Sequence, residues 1–372
     1  MRSAQDYLSK RALGVDASGI RKVFDLAAKM KDPINFSIGQ PDFDVPEPCK
    51  QAAIDAIRAG RNSYTQTQGI APLRERLRKE LSAEIGRDVG EVLVSSGVSG
   101  GLFLAILSTI ETGDEAIVID PYFVMYKHLM TLTGGKAVPV DSYPDFRFHA
   151  DRVEKAITGR TKVLMLNSPC NPTGSVMSEA EVRAAVDIAE KHDLLIISDE
   201  IYEPFLYDQP RPLFSPARYY EKTVVLRGFS KSHAMTGWRL GCAAGPEAII
   251  SQMTKLQQYT FVCAPSPLQI AALKAMDVPM DHANTAYRHK RDLVVEGLKS
   301  KFELLVPQGA FYIFPKAPAG RTATEFVTKA IENNVLIIPG NVFSERDTHF
   351  RISYATADEK IVEGCRILCG LV

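Results

Sequence analysis

Residues 162–200 read KVLMLNSPCNPTGSVMSEAEVRAAVDIAEKHDLLIISDE. The apolar run at 162–167 predicts a β-strand, and a second apolar run at 194–198 predicts another. Between them, Ser178 is suited to cap a helix that ends near residue 191, and the helix dipole favours the two glutamates of its first turn. Apolar strands joined by a helix are typical of a parallel sheet covered by helices on both faces.

The same alternation extends to both sides of this segment. Further strands are predicted at 91–95, 116–120 and 223–226, with a helix at 102–111. After about residue 280, a long charged helix leads into shorter predicted strands at 304–306, 311–314, 335–338 and 350–353. We therefore predict an α/β fold with two units: a large domain (48–280) with a mostly parallel sheet covered by helices, and a small discontinuous α+β domain (1–47 and 281–372).

The charge balance excludes several classes of function. The 372 residues include 44 Lys+Arg and 44 Asp+Glu, which gives a formal net charge of zero, and 45% are apolar. A protein that coats duplex nucleic acid usually has a basic excess, and binding to an anionic membrane needs a polybasic segment. We therefore expect no nucleic-acid partner and no membrane partner, and the apolar content predicts a large core.

Cysteine, histidine and the apolar runs bear on metal sites and location. The six cysteines are dispersed, which favours free thiols, and the seven histidines show no ligand spacing, so no metal site is predicted. Apolar runs such as 102–107 are too short to span a bilayer, and residues 1–31 contain no apolar targeting stretch. The sequence predicts a soluble, cytoplasmic protein.

A glycine-rich segment, SSGVSGG at 95–101, follows the first of these strands. Small residues at a helix start let backbone N–H groups approach an anion such as a phosphate. The same residues match G-x-S-x-G, the nucleophile elbow of serine hydrolases, with Ser99 as the nucleophile. Asp199 and then His233 or His349 follow in the chain order of such a triad. Both interpretations stay open on this motif alone.

Two short motifs follow other predicted strands. Asn171 begins the turn NPTG, and Asp199 and Tyr202 belong to the motif DEIY. The NPTG motif alone indicates only a turn. In open α/β sheets ligands bind where the strands end, so the acid and the phenol of DEIY are expected to face one crevice.

The most specific stretch is GFSKSHAMTGWRLG at 228–241. Lys231 lies there among small and hydroxyl residues, and Arg239 follows eight positions later. Lysine forms Schiff bases, and an environment that lowers its pKa makes it nucleophilic. An arginine fork nearby is suited to a phosphate.

Together these motifs resemble those of the class I aminotransferases, which are fold-type I enzymes dependent on pyridoxal 5′-phosphate. The similarity extends from GQPDF at 39–43 to FRISY at 350–354, which is nearly the whole chain. It implies an enzyme that moves an amino group from an L-amino acid to a 2-oxo acid, and it implies a homodimer.

The resemblance also assigns roles around the cofactor ring. Lys231 would hold the cofactor as a Schiff base and later move the proton of the substrate Cα. Asp199 would pair with the pyridine nitrogen and keep it protonated. Tyr202 and Asn171 would hydrogen-bond the 3′-oxygen of the ring, and Phe123 would stack on its face.

The phosphate would be bound by the backbone of Val98 and Ser99 and by the Arg239 guanidinium. Tyr64 matches the tyrosine that these enzymes send across the dimer interface to the phosphate of the neighbouring subunit. One departure is visible, since many relatives carry a phosphate-binding serine where this chain has Gly228. That departure removes one phosphate contact.

For the substrate, Arg351 would clamp the α-carboxylate, with help from Asn171 and the backbone at Gly39. Two alternatives stay open: a β-eliminating lyase that uses the same cofactor and scaffold, and a serine hydrolase that uses Ser99. The hydrolase would leave Lys231 and both arginines without a role.

The sequence also bears on substrate preference. Residues 257–267, where dicarboxylate-specific relatives often carry a second arginine, contain none. That favours neutral or aromatic amino acids, or a broad specificity. Aspartate stays possible, because Arg11 or Arg21 of the N-terminal segment could supply the missing cation.

Overall fold

The computed structural model describes residues 2–16, 19, 30–208 and 212–372. In chain order the helices are α1 (Lys10–Leu13), α2 (Glu47–Arg58), α3 (Ala71–Ile85), α4 (Gly97–Thr109), α5 (Met125–Thr133), α6 (Ala150–Ala156), α7 (Glu179–Lys191), α8 (Phe229–Ser232), α9 (Glu247–Thr260), α10 (Ser266–Ala275), α11 (Asp281–Leu298), α12 (Ala323–Glu332) and α13 (Asp358–Gly370). The strands are β1 (Ile34–Asn35), β2 (Glu91–Ser96), β3 (Glu115–Asp120), β4 (Lys136–Asp141), β5 (Thr161–Asn167), β6 (Leu195–Asp199), β7 (Thr223–Gly228), β8 (Leu240–Gly245), β9 (Tyr312–Ile313), β10 (Val335–Leu336), β11 (Ile338–Pro339) and β12 (Phe350–Ser353).

A seven-stranded sheet with the order β2-β8-β7-β6-β5-β3-β4 forms the centre of the fold. Strand β8 runs antiparallel to both of its neighbours, and the other neighbouring pairs are parallel. Successive residues of β6 enter different core clusters: Ile197 packs in one with Leu102 of α4, and Ile196 in another with Val186 of α7. Helices therefore cover both faces of the sheet. The predicted α/β class with a mostly parallel sheet is confirmed.

Two smaller sheets are built mainly from the C-terminal part of the chain. Strand β1 pairs with β10 in parallel, so that Ile34 lies beside Val335. Strands β11, β12 and β9 form an antiparallel sheet. The pairing of β1 with β10 is in keeping with a small domain made of both chain ends, although the domain boundaries at 48 and 280 stay a prediction.

Several element predictions were wrong in detail. Residues 304–306 form no strand: Leu305 and Val306 are exposed, and the following Pro307 favours an extended backbone without imposing a pairing partner. The run 335–338 is divided into two strands, β10 and β11. Helix α4 begins at Gly97, within the glycine-rich segment.

Within the described ranges, no helix has both the length and the apolar character needed to cross a membrane. All six cysteines are free thiols.

Candidate active site

The predicted site residues lie at one edge of the large sheet. Asp199 is the last residue of β6 and is in register with Asn167, the last residue of β5. Lys231 lies on α8, the one-turn helix that directly follows β7. Because β8 runs antiparallel, Arg239, which precedes it, lies at this same edge. The carboxyl ends of the parallel strands are where an open α/β sheet binds ligands.

A cavity of about 660 Å³ opens at this edge. Its wall includes all predicted site residues but one, namely Gly39, Val98, Ser99, Phe123, Asn171, Asp199, Tyr202, Lys231, Arg239 and Arg351. The exception is Tyr64, which lies outside the cavity wall and is 84% exposed. Of the two N-terminal arginines, Arg11 is exposed on α1, and Arg21 lies outside the described residues. That segment instead lines the cavity with Val15 and Asp16.

The amine of Lys231 is held inside this cavity. Its Nζ donates a hydrogen bond to the Gly39 carbonyl oxygen at 2.5 Å. Burial, together with the positive charges of Arg351 and Arg239, lowers the pKa of Lys231 to about 8. A considerable fraction of the amine is therefore neutral near pH 8, and the neutral amine is the nucleophilic form.

The carboxyl group of Asp199 is buried at the bottom of the same cavity. Tyr126 Oη donates to its Oδ2 at 2.9 Å, and the Ile201 N–H donates to Oδ1 at 3.3 Å. Burial raises the pKa of Asp199 to about 6, against the opposing effect of the Tyr126 hydrogen bond. A buried acid of this kind favours a cationic hydrogen-bond donor as its partner.

Glycines bring backbone close to the Arg239 guanidinium. Gly97 has φ +68°, and a Cβ atom there would lie 2.7 Å from Arg239 Nη2. A Cβ on Gly241 would lie 2.7 Å from the Val98 nitrogen, and one on Gly228 would lie 3.0 Å from the Gly241 Cα. Glycine at 228, the departure noted in the sequence, therefore fits the close approach of β7 and β8. The first turn of α4 and one guanidinium together form an anion cradle.

Arg351 lies on β12 and lines the same cavity, and it is 1% exposed. Its Nη1 donates to Asn171 Oδ1 at 3.0 Å, and its Nη2 donates to the Ser37 carbonyl at 2.7 Å. The rings of Tyr312 and Phe343 lie 4.6 and 4.7 Å from its Cζ. Its Nε is buried without a hydrogen-bond partner in the described structure. Burial lowers the pKa of this guanidinium, which marks a cation that lacks a counter-ion.

Within the described structure, neither histidine of the proposed hydrolase triad is hydrogen-bonded to Ser99. His233 Nδ1 is hydrogen-bonded to Ser232 Oγ at 2.8 Å, and His349 Nδ1 to Thr348 Oγ1 at 2.9 Å. His349 stacks on Phe314 in the C-terminal part of the fold. Ser99 lies in the first turn of α4 and has neither histidine as its base.

Tyr126, Tyr312 and Ser230 are among the residues at the site that the sequence analysis gave no role. Tyr126 contacts Asp199, Tyr312 lies 2.7 Å from the Tyr202 hydroxyl, and Ser230 lines the cavity beside Lys231. Ser230 belongs to the motif that drew attention to Lys231, so proximity in sequence was a usable signal. The other two are brought in by tertiary packing, and no local pattern marks them.

The charges of the cavity define what it can bind. Within the described residues, Lys231, Arg239 and Arg351 donate hydrogen bonds to uncharged oxygen atoms and form no ion pair with a carboxylate. Arg351 is buried, and Lys231 and Arg239 are partly buried. Removing a cation from water without a counter-ion is costly, so the cavity is suited to a ligand that brings a phosphate and a carboxylate. An amine of lowered pKa, a buried acid and two arginines on an α/β sheet are the groups that an enzyme with Schiff-base chemistry at a lysine would need.

Comparison with known proteins identifies the family. Residues 31–368 match the family model for class I and II aminotransferases. The chain therefore belongs to the class I and II aminotransferase family, and the sequence-based prediction of an aminotransferase is confirmed.

Individual relatives cover almost the whole chain. A probable aspartate aminotransferase of Methanocaldococcus jannaschii is 36% identical over 97% of this chain and 98% of its own. Aromatic-amino-acid aminotransferase 2 of Thermococcus litoralis is also 36% identical, over 96% of both chains. Among solved structures, Thermus thermophilus aspartate aminotransferase with maleate superposes with a TM-score of 0.94, at 33% identity, over 100% of both chains.

Proposed function

We propose that the cavity binds pyridoxal 5′-phosphate and that the enzyme uses it to move an amino group from an L-amino acid to a 2-oxo acid. The observation that carries this proposal is the amine of Lys231, which lines one cavity with a buried aspartate and two arginines that form no ion pair within the described residues. This combination provides one group for each functional part of the cofactor and its substrate.

The residues present fit the cofactor part by part. The glycine-rich start of α4 and Arg239 suit a phosphate dianion. Asp199 suits the protonated pyridine nitrogen, and Tyr202 and Asn171 can reach a ring oxygen from the cavity wall. The orphaned Nε of Arg351 suits a carboxylate of the substrate. When bound, the cofactor supplies an electron sink for the negative charge that develops at the substrate Cα.

The chain itself supplies binding, orientation and proton transfer. Arg351 fixes the α-carboxylate, which orients the bonds around Cα. Lys231 Nζ accepts the proton that leaves Cα, as a base whose pKa is lowered to about 8. Asp199 remains charged above its pKa of about 6 and stabilises the positive nitrogen of the ring.

Reconstitution tests the proposal directly. The purified protein, supplied with pyridoxal phosphate, should acquire a visible absorption band that shifts when an L-amino acid is added and returns when a 2-oxo acid follows. A colourless protein that cannot be reconstituted would reject the proposal. Release of pyruvate and ammonia without any 2-oxo acid would indicate the lyase instead.

We further propose that neutral or aromatic amino acids are preferred as donors. The wall of the cavity is largely apolar and includes Val124, Leu129 and Leu132, with His128 beside them. A dicarboxylate needs a second cation, whereas Arg351 and Arg239 already have roles and Asp16 adds a negative charge at the mouth. The names of the relatives include both aspartate and aromatic aminotransferases, so preference must be measured on this chain.

In single half-reactions followed by the visible band, phenylalanine and leucine should react with kcat/KM about 10–100-fold above that of aspartate. The reason is that the side-chain carboxylate of aspartate loses its hydration in the cavity without gaining a cation as its partner. The Asp16→Asn substitution should raise kcat/KM for aspartate and leave kcat/KM for phenylalanine and leucine unchanged, so the difference between the donors should become smaller. Equal or better reaction with aspartate in the unmodified enzyme would contradict the preference.

We also propose that the enzyme is a homodimer, with Tyr64 completing the site of the neighbouring subunit. Tyr64 is 84% exposed and Tyr259 is 86% exposed. Phe261 and Val262, which follow Tyr259 closely in the sequence, are exposed as well. Ser266 Oγ donates to the Ser63 carbonyl at 2.5 Å, so the loop of Tyr64 is attached to this segment. Large exposed aromatic side chains are typical of an interface. The cytoplasmic location predicted from the sequence remains a prediction.

Replacing Tyr64 by phenylalanine should weaken cofactor binding about 10-fold and leave the dimer intact, because one hydrogen bond to a charged phosphate is lost. Cofactor titration and sedimentation of the apo-protein measure the two effects. Tyr219→Phe is the matched control, since its hydroxyl contacts Glu179 far from the cavity. If Tyr64→Phe binds the cofactor as tightly as the unmodified protein, or if the unmodified protein sediments as a monomer, the support for a shared site is lost.

A further inference from the structure

Tyr312 forms a second connection between two parts of the site, beside the hydrogen bond from Arg351 to Asn171. It lies on β9 and is 1% exposed. Its hydroxyl oxygen is 2.7 Å from that of Tyr202, and its ring centre is 4.6 Å from Arg351 Cζ. One side chain therefore contacts both the arginine assigned to the substrate carboxylate and the phenol assigned to the cofactor ring.

The position of Tyr312 is fixed by its surroundings. Strands β9 and β12 pair so that Tyr312 lies beside Ser353, two residues from Arg351. Gly39 leaves the space for the Tyr312 hydroxyl, because a side chain at position 39 would collide with it. The Tyr202 and Tyr312 rings meet edge to face, with centroids 5.4 Å apart. Such packing holds both hydroxyl groups in one geometry.

We propose that Tyr312 is a positioning residue that couples carboxylate binding at Arg351 to the cofactor contact of Tyr202. Its hydroxyl donates to Tyr202 Oη, which leaves the Tyr202 proton available for the ring oxygen of the cofactor. Its ring face holds the Arg351 guanidinium. This inference rests on the proposed function, since it assumes the same roles for Tyr202 and Arg351.

The direction of the hydrogen bond follows from the number of protons available. The geometry of the pair allows either hydroxyl to donate. A phenol has one proton, so Tyr202 donates to the ring oxygen only when it accepts from Tyr312, and the guanidinium over the Tyr312 ring favours Tyr312 as the donor. A phenol that accepts a hydrogen bond becomes a stronger donor itself.

Substrate binding would then be transmitted along this chain of contacts. A carboxylate on Arg351 neutralises the charge that lies over the Tyr312 ring, so Tyr312 becomes a weaker donor. Tyr202 in turn donates less strongly to the ring oxygen, and the lysine–cofactor linkage binds a proton more tightly. The lysine–cofactor linkage thus becomes more basic when a substrate carboxylate binds.

The test compares Tyr312→Phe, Tyr202→Phe and the double variant, each loaded with pyridoxal phosphate. The proton affinity of the linkage is measured from the pH dependence of the visible band, with and without phenylpropionate, a carboxylate that has no amino group to react. Tyr312→Phe should raise this proton affinity about 3–10-fold and reduce its increase on phenylpropionate binding. In the Tyr202→Phe background, Tyr312→Phe should change the proton affinity of the linkage less than about twofold.

A second pair of variants separates the ring from the hydroxyl. Tyr312→Phe keeps the ring under Arg351, so phenylpropionate affinity should stay within about twofold, whereas Tyr312→Leu should lower it about 3–10-fold. An unchanged proton affinity in Tyr312→Phe, or an equal change in the Tyr202→Phe background, would overturn the inference while the visible band persists. Loss of the band in the unmodified protein would overturn the proposed function as well.

Discussion

Replacing Lys231 by alanine is expected to lower the rate of transamination by at least about 10⁴-fold. The substitution removes both the amine that forms the covalent linkage and the base that receives the Cα proton, and proton transfer alone contributes up to about that factor. Within the described structure, no other lysine lines the cavity, so no neighbouring amine can substitute. Rates are measured with phenylalanine and a 2-oxo acid at pH 8, near the pKa of about 8 of the lysine.

The same variant should still bind the cofactor. Its phosphate and ring contacts come from Arg239, Asp199 and the start of α4, which the substitution leaves in place. The bound cofactor should have the spectrum of the free aldehyde and be removed by dialysis. Lys316→Ala is the control, because Lys316 is an exposed residue paired with Glu303. A Lys231→Ala enzyme that retains more than about 1% of the activity would require another base and would contradict the assigned role.

The sequence predicted the parts of the sheet that are buried on both faces. Strands β5, β6 and β7 contain continuous apolar runs, so the local sequence pattern is enough to predict them without knowledge of the neighbouring strands. Strand β8, LGCAAG, was missed because it consists of small residues, which let β2 and β7 approach its backbone. Strand β4 was missed because Pro139 is unusual within a strand, yet at the edge of a sheet it is tolerated.

Helix starts and isolated strands were harder to predict for a related reason. The first turn of α4 is rich in glycine, which disfavours a helix by about 1 kcal/mol per residue, and only its packing against the sheet makes the residues helical. At 304–306 the local apolar pattern was present, but a strand needs a neighbour, and none of the described strands pairs there. Such pairing is a property of the fold, so a local pattern cannot determine it.

The predicted site depended on motifs that lie at strand ends. Lys231, Asp199 and Asn171 lie within such motifs, so residue type and position both indicated them. Tyr126 and Tyr312 become visible only when the fold brings them to Asp199 and Tyr202, over 73 and 110 positions of sequence. Contacts of this range cannot be read from spacing along the chain.

Replacing Arg351 by lysine should lower kcat/KM for phenylalanine by about 10²–10³-fold. Lysine keeps the charge but lacks the planar fork, so it cannot bind Asn171 Oδ1, the Ser37 carbonyl and a carboxylate together. Disrupting a buried charge pair of this kind costs about 2–5 kcal/mol. The loss should appear mainly in KM for the half-reaction, and the affinity for pyridoxal phosphate should change less than about twofold, because Arg239 and not Arg351 is assigned to the phosphate.

A donor without a carboxylate separates the role of Arg351 from general damage to the site. Phenylethylamine has the side chain and the amino group of phenylalanine but nothing for the guanidinium to bind. Its slow half-reaction should therefore be the same in Arg351→Lys and in the unmodified enzyme, within about threefold. Arg346→Lys is the matched control, since Arg346 is a half-exposed arginine that pairs with Asp141 at 2.6 Å. If the Arg351→Lys substitution slows the half-reaction of phenylethylamine as much as that of phenylalanine, then Arg351 supports the architecture of the cavity, and the substrate carboxylate must bind elsewhere.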